Sequence, residues 1–194
     1  MRPSAPRLIL ASASPRREEL LRRLGLSFSA VPSEEPEEFP PGPPEEAVRA
    51  VALAKARAVA ARVGSGVVLG ADTIVVLDGA VLGKPKDRDD ARRMLRALEG
   101  RSHHVITGLA LVEAPAGRET SAAVVTRVRM ARYGGGEIEA YLATGEPYDK
   151  AGAYAIQGAG GRLVAEVAGC YTNVVGLPLT TTRRLLAEWG VVAA

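Results

Sequence analysis

A single cysteine, Cys170, in 194 residues leaves this chain no internal disulfide and no cysteine-rich zinc site, and points to a reducing compartment, the cytoplasm. Histidine is almost as scarce. His103 and His104 are adjacent, and neighbours on an extended strand project to opposite faces, so they are expected to share no metal and are read as non-catalytic. Aromatic content of 4% leaves little for stacking on bases, which argues against a nucleic-acid-binding module. No apolar run approaches the roughly 18 residues that a membrane span requires. The apolar segment Leu8-Ile9-Leu10-Ala11 near the start is too short for a secretory leader and is soon followed by Pro15-Arg16-Arg17, so it reads as a strand. There is no internal repeat and no dinucleotide fingerprint: Gly158, Gly160 and Gly161 have the wrong spacing and follow a loop instead of a strand.

The remaining composition, 47% hydrophobic and 24% charged, is that of one ordinary globular domain over 1–194. A net charge of +3 and a pI near 9.2 favour an anionic partner without choosing among polyphosphates, nucleic acids and acidic surfaces. The position of the cations has to make that choice.

The most informative stretch is Val67 to Leu77, a run of strand-forming residues interrupted by Asp72. Strands of this kind exclude carboxylates by propensity and by desolvation cost, so Asp72 either bonds to amides at a bulge or faces a polar cavity. Asp78-Gly79 then signals a hairpin, which would place Asp72 and Lys84 on paired strands ahead of the rigid Pro85. Upstream, Leu8–Ala11 leads into a helix with Ser14 as N-cap, Pro15 in its first turn and Gly25 as its stop. Arg16 and Arg17 occupy the wrong end of that helix dipole unless Glu18 and Glu19 neutralise them or an anion binds there, beside Ser12 and Ser14. After a strand over 26–31, the acidic loop Glu34-Glu35-Pro36-Glu37-Glu38 offers oxygen ligands to a hard divalent cation, although such runs are more often only solvated. The helix from Pro44 to Val63 carries Lys55 inside its buried stripe, where an ammonium must snorkel or meet an anion. Asp87 caps a further helix over Asp89–Leu98, strands follow over 105–113 and 122–130, and 137–143 is a short helix. The long glycine-dense loop 144–161 has the character of a functional loop. Arg162–Val167 and Tyr171–Val175 are expected to pair as strands about Gly169, before a last helix opened by Pro178. Strands and helices alternate without a strict repeat, which makes the class mixed α/β.

Five segments in order, Leu10-Ala11-Ser12-Ala13-Ser14-Pro15-Arg16-Arg17, Gly70-Ala71-Asp72-Thr73, Gly83-Lys84-Pro85, Asp149 through Gly158, and Asn173 through Leu179, resemble the Maf family of nucleoside triphosphate pyrophosphatases over nearly the whole chain. The resemblance implies a twisted mixed sheet with flanking helices and two lobes around a nucleotide cleft, as in inosine triphosphate pyrophosphatases. It also implies a homodimer, a divalent metal such as Mg or Mn, and hydrolysis of a nucleoside triphosphate to monophosphate and pyrophosphate. Carried over by motif, Asp72 is the proton acceptor, and Arg16, Thr73 and Gln157 are the residues that separate substrate subgroups. Their identities here are similar to those of the subgroup acting on dTTP and UTP. Ser12, Ser14, Arg17, Lys55 and Lys84 complete the substrate-binding set, four of its members with Arg16 being cations that the reading of the sequence leaves without partners. Glu37 and Asp72 are the metal-ligand candidates. Pro36 replaces the first member of an acidic pair usual in the family loop, and Asp149 and Lys150 fall at the margin of the site. A competing reading is a nucleotide-binding regulator linked to septum formation and without turnover.

Overall fold

The computed structural model describes residues 6–115 and 117–193. Seven strands form one mixed sheet: β1 (Leu8–Ala11), β2 (Phe28–Ala30), β3 (Gly66–Leu77), β4 (Ala80–Leu82), β5 (Ser102–Ala114), β6 (Glu119–Met130) and β7 (Val164–Ala168). The order is β2-β1-β3-β5-β6-β7, with β4 folded back on β3. Strand β1 runs parallel to both β2 and β3, whereas the β3–β4 and β6–β7 pairs are antiparallel. The helices are α1 (Pro15–Arg22), α2 (Pro44–Ala60), α3 (Arg88–Leu98), α4 (Gly135–Leu142), α5 (Tyr171–Val175) and α6 (Leu179–Glu188). The mixed α/β class expected from the sequence is the one found.

The chain divides into two compact units. The first runs through Asp72 and takes in Thr107–Val124 and Gly176 onward; the second is Thr73–Ile106 with Val125–Val175. In the first unit α2 packs on the sheet through Ala52, Ala56 and Val59 against Ile9, Val68 and Ala110. Two glycines allow that approach. A Cβ at Gly70 would stand 2.2 Å from the Ala52 carbonyl oxygen, and one at Gly108 2.4 Å from that of Val48, so helix backbone lies directly on β3 and β5. In the second unit α3 buries Ala91, Met94, Leu95 and Leu98 in a core shared with Val75, Met130, Ile138, Tyr154 and Leu163. Asp87 caps α3 as its sequence indicates, accepting the Asp90 amide at 2.8 Å.

Three expectations need correction. Strand β4 is three residues long and pairs only Ala80–Leu82 with Val75–Leu77, so neither Asp72 nor Lys84 lies on the paired segment. Pro85, which has no amide to donate, sits just past the point where pairing stops. Tyr171–Val175 is a helix, not a strand. Its β-branched composition is overridden by tertiary bonds: buried Asn173 donates through Nδ2 to the Val105 carbonyl at 3.0 Å and to Thr126 Oγ1 at 2.9 Å. The strand after the glycine-dense loop therefore pairs with β6 alone of the elements flanking Gly169, and 3-10 turns at Glu146–Asp149, Ala151–Ala153 and Gly158–Leu163 give that loop regular structure. Finally, Ser14 occupies the N-cap position of α1 without a side-chain capping bond; its own amide donates instead to Ser12 Oγ at 3.1 Å.

Candidate active site

Strand β3 and helix α2 bring Asp72 and Lys55 together in the first unit. Asp72 is 3% exposed and Lys55 7%, and Lys55 Nζ donates to Asp72 Oδ1 at 2.6 Å. The same ammonium reaches Glu37 Oε1 at 3.0 Å, so one lysine links the strand acid to the acidic loop. Lys55 therefore does not await an anion, contrary to the expectation of four unmatched cations: its partners are the two carboxylates that the sequence singles out for other reasons. The helical stripe shows that the ammonium is buried, but only the fold shows what it meets.

Arg17 completes this cluster. Its Nε donates to the Gly176 carbonyl at 3.0 Å, and Nη1 lies 3.4 Å from Ser12 Oγ, which is itself buried. The hydroxyl of Ser12 thus accepts from both the Ser14 amide and Arg17 at the start of α1. Glu18 and Glu19 do not neutralise Arg16 and Arg17; they pair one turn onward, with Arg22 and Arg23 respectively. That removes the bland account of two arginines at the positive end of a helix. Gly176, the holder of Arg17, carries no side chain that would announce the contact. The available signal is its place in the Asn173–Leu179 segment, where it adopts φ 122°.

Burial and charge oppose each other at both ends of the cluster. Burial raises the pKa of Asp72 above the ordinary carboxylate range, Lys55 and then Arg17 pull it back down, and Glu37 adds to the rise. For Arg17 burial lowers the pKa, Asp72 and Glu37 oppose that, and neighbouring Arg16 reinforces it. Such a cluster can hold an anion at the arginine side while keeping a carboxylate poised to accept a proton.

The other sequence-singled residues belong to the second unit. Thr73 directly follows Asp72 in β3, Lys84 is exposed, and Gln157 is half-buried at the start of the last 3-10 turn of the glycine-dense loop. The Gly152 amide donates to the Gly83 carbonyl at 3.0 Å, which ties that loop to the residue preceding Lys84. Lys150 donates to the neighbouring Asp149 carboxylate and, at 3.4 Å, to the Glu146 carbonyl. His103 is buried with Nε2 2.7 Å from Tyr154 Oη, while His104 is exposed, in keeping with opposite faces of β5.

Buried acid, bridging ammonium, half-buried guanidinium and a serine-lined helix start are the equipment of an α/β protein that handles a polyanion. The family model described as Maf-like protein matches residues 7–189. The dTTP/UTP pyrophosphatase of Anaeromyxobacter dehalogenans (strain 2CP-C) is 55% identical over 189 residues, covering 96% of this chain and 95% of that protein. That of Moorella thermoacetica is 55% identical over 186 residues, covering 95% and 96%. Over 66% of this chain and 75% of the other, the chain is also similar to a crystal structure of a nucleoside-triphosphatase/dITP/XTP pyrophosphatase from Mycobacterium abscessus, at 22% identity and a TM-score of 0.43, too slight a likeness to build on. The chain belongs to the Maf family.

Proposed function

We propose that this protein hydrolyses nucleoside triphosphates, dTTP and UTP foremost, between the α and β phosphates. The observation that carries the reading is the buried pair of Asp72 and Lys55 beside Arg17, at full-length similarity of about half identity to dTTP/UTP pyrophosphatases. Asp72 takes a proton from a water whose oxygen attacks the α-phosphorus; the bond to the α–β bridging oxygen breaks, and pyrophosphate leaves with the electron pair. Its raised pKa makes Asp72 a better proton acceptor than a solvated carboxylate, and Lys55 favours its ionised form. Arg17, Ser12 and the start of α1 bind phosphate oxygens and stabilise charge building on the leaving group. Ser14, Arg16 and Lys84 are assigned to substrate binding, and Gln157 and Thr73 to selection of the nucleotide, as the family resemblance implies. Gln157 presents a donor and an acceptor, as a uracil or thymine edge requires.

Asp72 and Glu37 would hold the divalent metal. No group of three His, Cys, Asp or Glu suited to a metal occurs among the described residues. Both carboxylates meet the Lys55 ammonium, and carboxylate oxygens suit Mg or Mn, which would take further positions from substrate phosphates and water. When bound, such an ion polarises phosphoryl oxygens and neutralises their charge. We further assign the protein to the cytoplasm as a homodimer, as the family resemblance implies; among the described residues no helix is long and apolar enough to cross a membrane.

Pyrophosphate release from a panel of nucleoside triphosphates, with magnesium or manganese, tests the reading. Release is expected from dTTP and UTP above the purine nucleotides. Tight nucleotide binding with no release from any of them would overturn it in favour of a regulator without turnover.

A further inference from the structure

The glycine-dense loop of the second unit is held at two backbone points placed symmetrically about Gln157. Two residues before it, the Ala155 amide donates to Tyr141 Oη at 3.0 Å; two residues after it, the Ala159 amide donates to Glu146 Oε1 at 3.2 Å. The fit at both points is close. A Cβ at Gly158 would stand 2.8 Å from Glu146 Oε1, and one at Gly160 2.6 Å from Tyr141 Oη, so the glycines on this side of Gln157 leave room for these two acceptors. Gly158 also has φ +70°, which turns the chain back over the carboxylate directly after Gln157.

Glu146 is an expensive choice for a merely structural bond. Its Oε2 is buried and has no hydrogen-bond partner among the described residues, so half of the carboxylate is desolvated without compensation. Stability alone would favour a neutral acceptor here. What a carboxylate adds is a stronger hold on the Ala159 amide in the first turn of the 3-10 segment, whose partial positive charge it complements.

We infer that Glu146 and Tyr141 are positioning residues for nucleotide selectivity, fixing the backbone on both sides of Gln157 so that its amide meets the edge of a pyrimidine base in one orientation. The inference rests on the proposed base-reading role of Gln157, and both residues act on it through the backbone amides of Ala155 and Ala159. A glutamine side chain has three rotatable bonds, and its two ends differ by one proton pair; without a fixed backbone it would offer either end to either partner.

The test compares two ligands by calorimetry: an α,β-imido analogue of UTP, which carries the base, and inorganic tripolyphosphate, which does not. Glu146→Ala and Tyr141→Phe are each expected to weaken the UTP analogue about tenfold, the loss of one hydrogen bond's worth of orientation. Tripolyphosphate affinity is expected to stay within twofold, and Glu146→Gln, which keeps an acceptor for the Ala159 amide, to recover most of the loss. Gln157→Ala serves as the reference for the base-reading role. If it weakens the analogue selectively while the Glu146 and Tyr141 variants do not, the positioning inference falls and the role of Gln157 stands. If Gln157→Ala itself has no selective effect, both fall. Equal weakening of both ligands by Glu146→Ala, with a lowered Tm, would assign Glu146 to structure alone and overturn the inference.

Discussion

At Asp72 two effects of opposite sign set the ionisation, and the larger one is burial. A carboxylate whose folded pKa is raised binds its proton more tightly in the native state, so stability declines as pH climbs from the unfolded value, about 3.8, through the raised native value. The same shift means that the proton-accepting form accumulates only above the ordinary carboxylate range. In the metal-free protein Asp72 is therefore expected to titrate above pH 3.8 when followed by NMR, and Lys55→Gln, which removes the foremost opposing charge but keeps a donor, should move that titration to still higher pH. A titration that stays in place or moves down in that variant would show that Lys55 does not govern Asp72. Asp72→Asn is expected to lower kcat by about a thousandfold, within the usual range for removal of a general base, while the UTP analogue still binds. Parallel loss of binding and turnover, measured by calorimetry and pyrophosphate release, would argue against a base role.

The elements that hold these residues are arranged by glycine as much as by hydrophobic pattern. Because α2 lies on β3 and β5 with backbone against backbone, a single methyl at Gly70 has nowhere to go: the Ala52 carbonyl is 2.2 Å away. Gly70→Ala is expected to cost roughly 1–3 kcal/mol of stability in denaturant titration, as overpacked cores do, and to reduce kcat because α2 carries Lys55 and β3 carries Asp72. A variant as stable and active as the parent would show that α2 can shift without disturbing the pair. Much of this architecture is legible beforehand. The strand–turn–helix around Ser12 to Gly25, the buried stripe that includes Lys55, the Asp87 cap and the acid inside β3 all follow from local chemistry, since each is decided by residues within a few positions. What escapes is whatever distant groups decide. Tyr171–Val175 carries strand propensity but takes helical form around Asn173, whose partners Val105 and Thr126 are far away in sequence. Lys55 reads as a cation in search of an anion because nothing local announces Glu37, 18 positions earlier, or Asp72, 17 positions later. The extent of β4 is likewise set by where pairing with β3 fails, not by its own composition.

Over the whole molecule, the basic pI overstates the positive charge available to a large polyanion. Arg22, Arg23, Arg57, Arg88, Arg92, Arg93, Arg101, Arg129 and Arg184 all lie in exposed or half-exposed ion pairs with carboxylates. Each such pair contributes little to stability, but its carboxylate cancels the far field of the arginine and leaves only a dipole, so a duplex approaching these surfaces meets alternating signs instead of a basic stripe. The pair of Lys55 and Asp72 differs in being buried, with Arg17 half-buried beside it, and salt screens such charges weakly. Two salt dependences should therefore separate. Binding of the UTP analogue is expected to persist from low salt to about 150 mM, whereas any association with duplex or single-stranded DNA should fade steeply over the same range, as counterion release requires. Fluorescence anisotropy with a labelled oligonucleotide beside calorimetry with the analogue measures both. Strong oligonucleotide binding that survives about 150 mM salt would mean that the paired arginines open to a nucleic-acid partner, and that the mononucleotide site is not the chief destination of this molecule's positive charge.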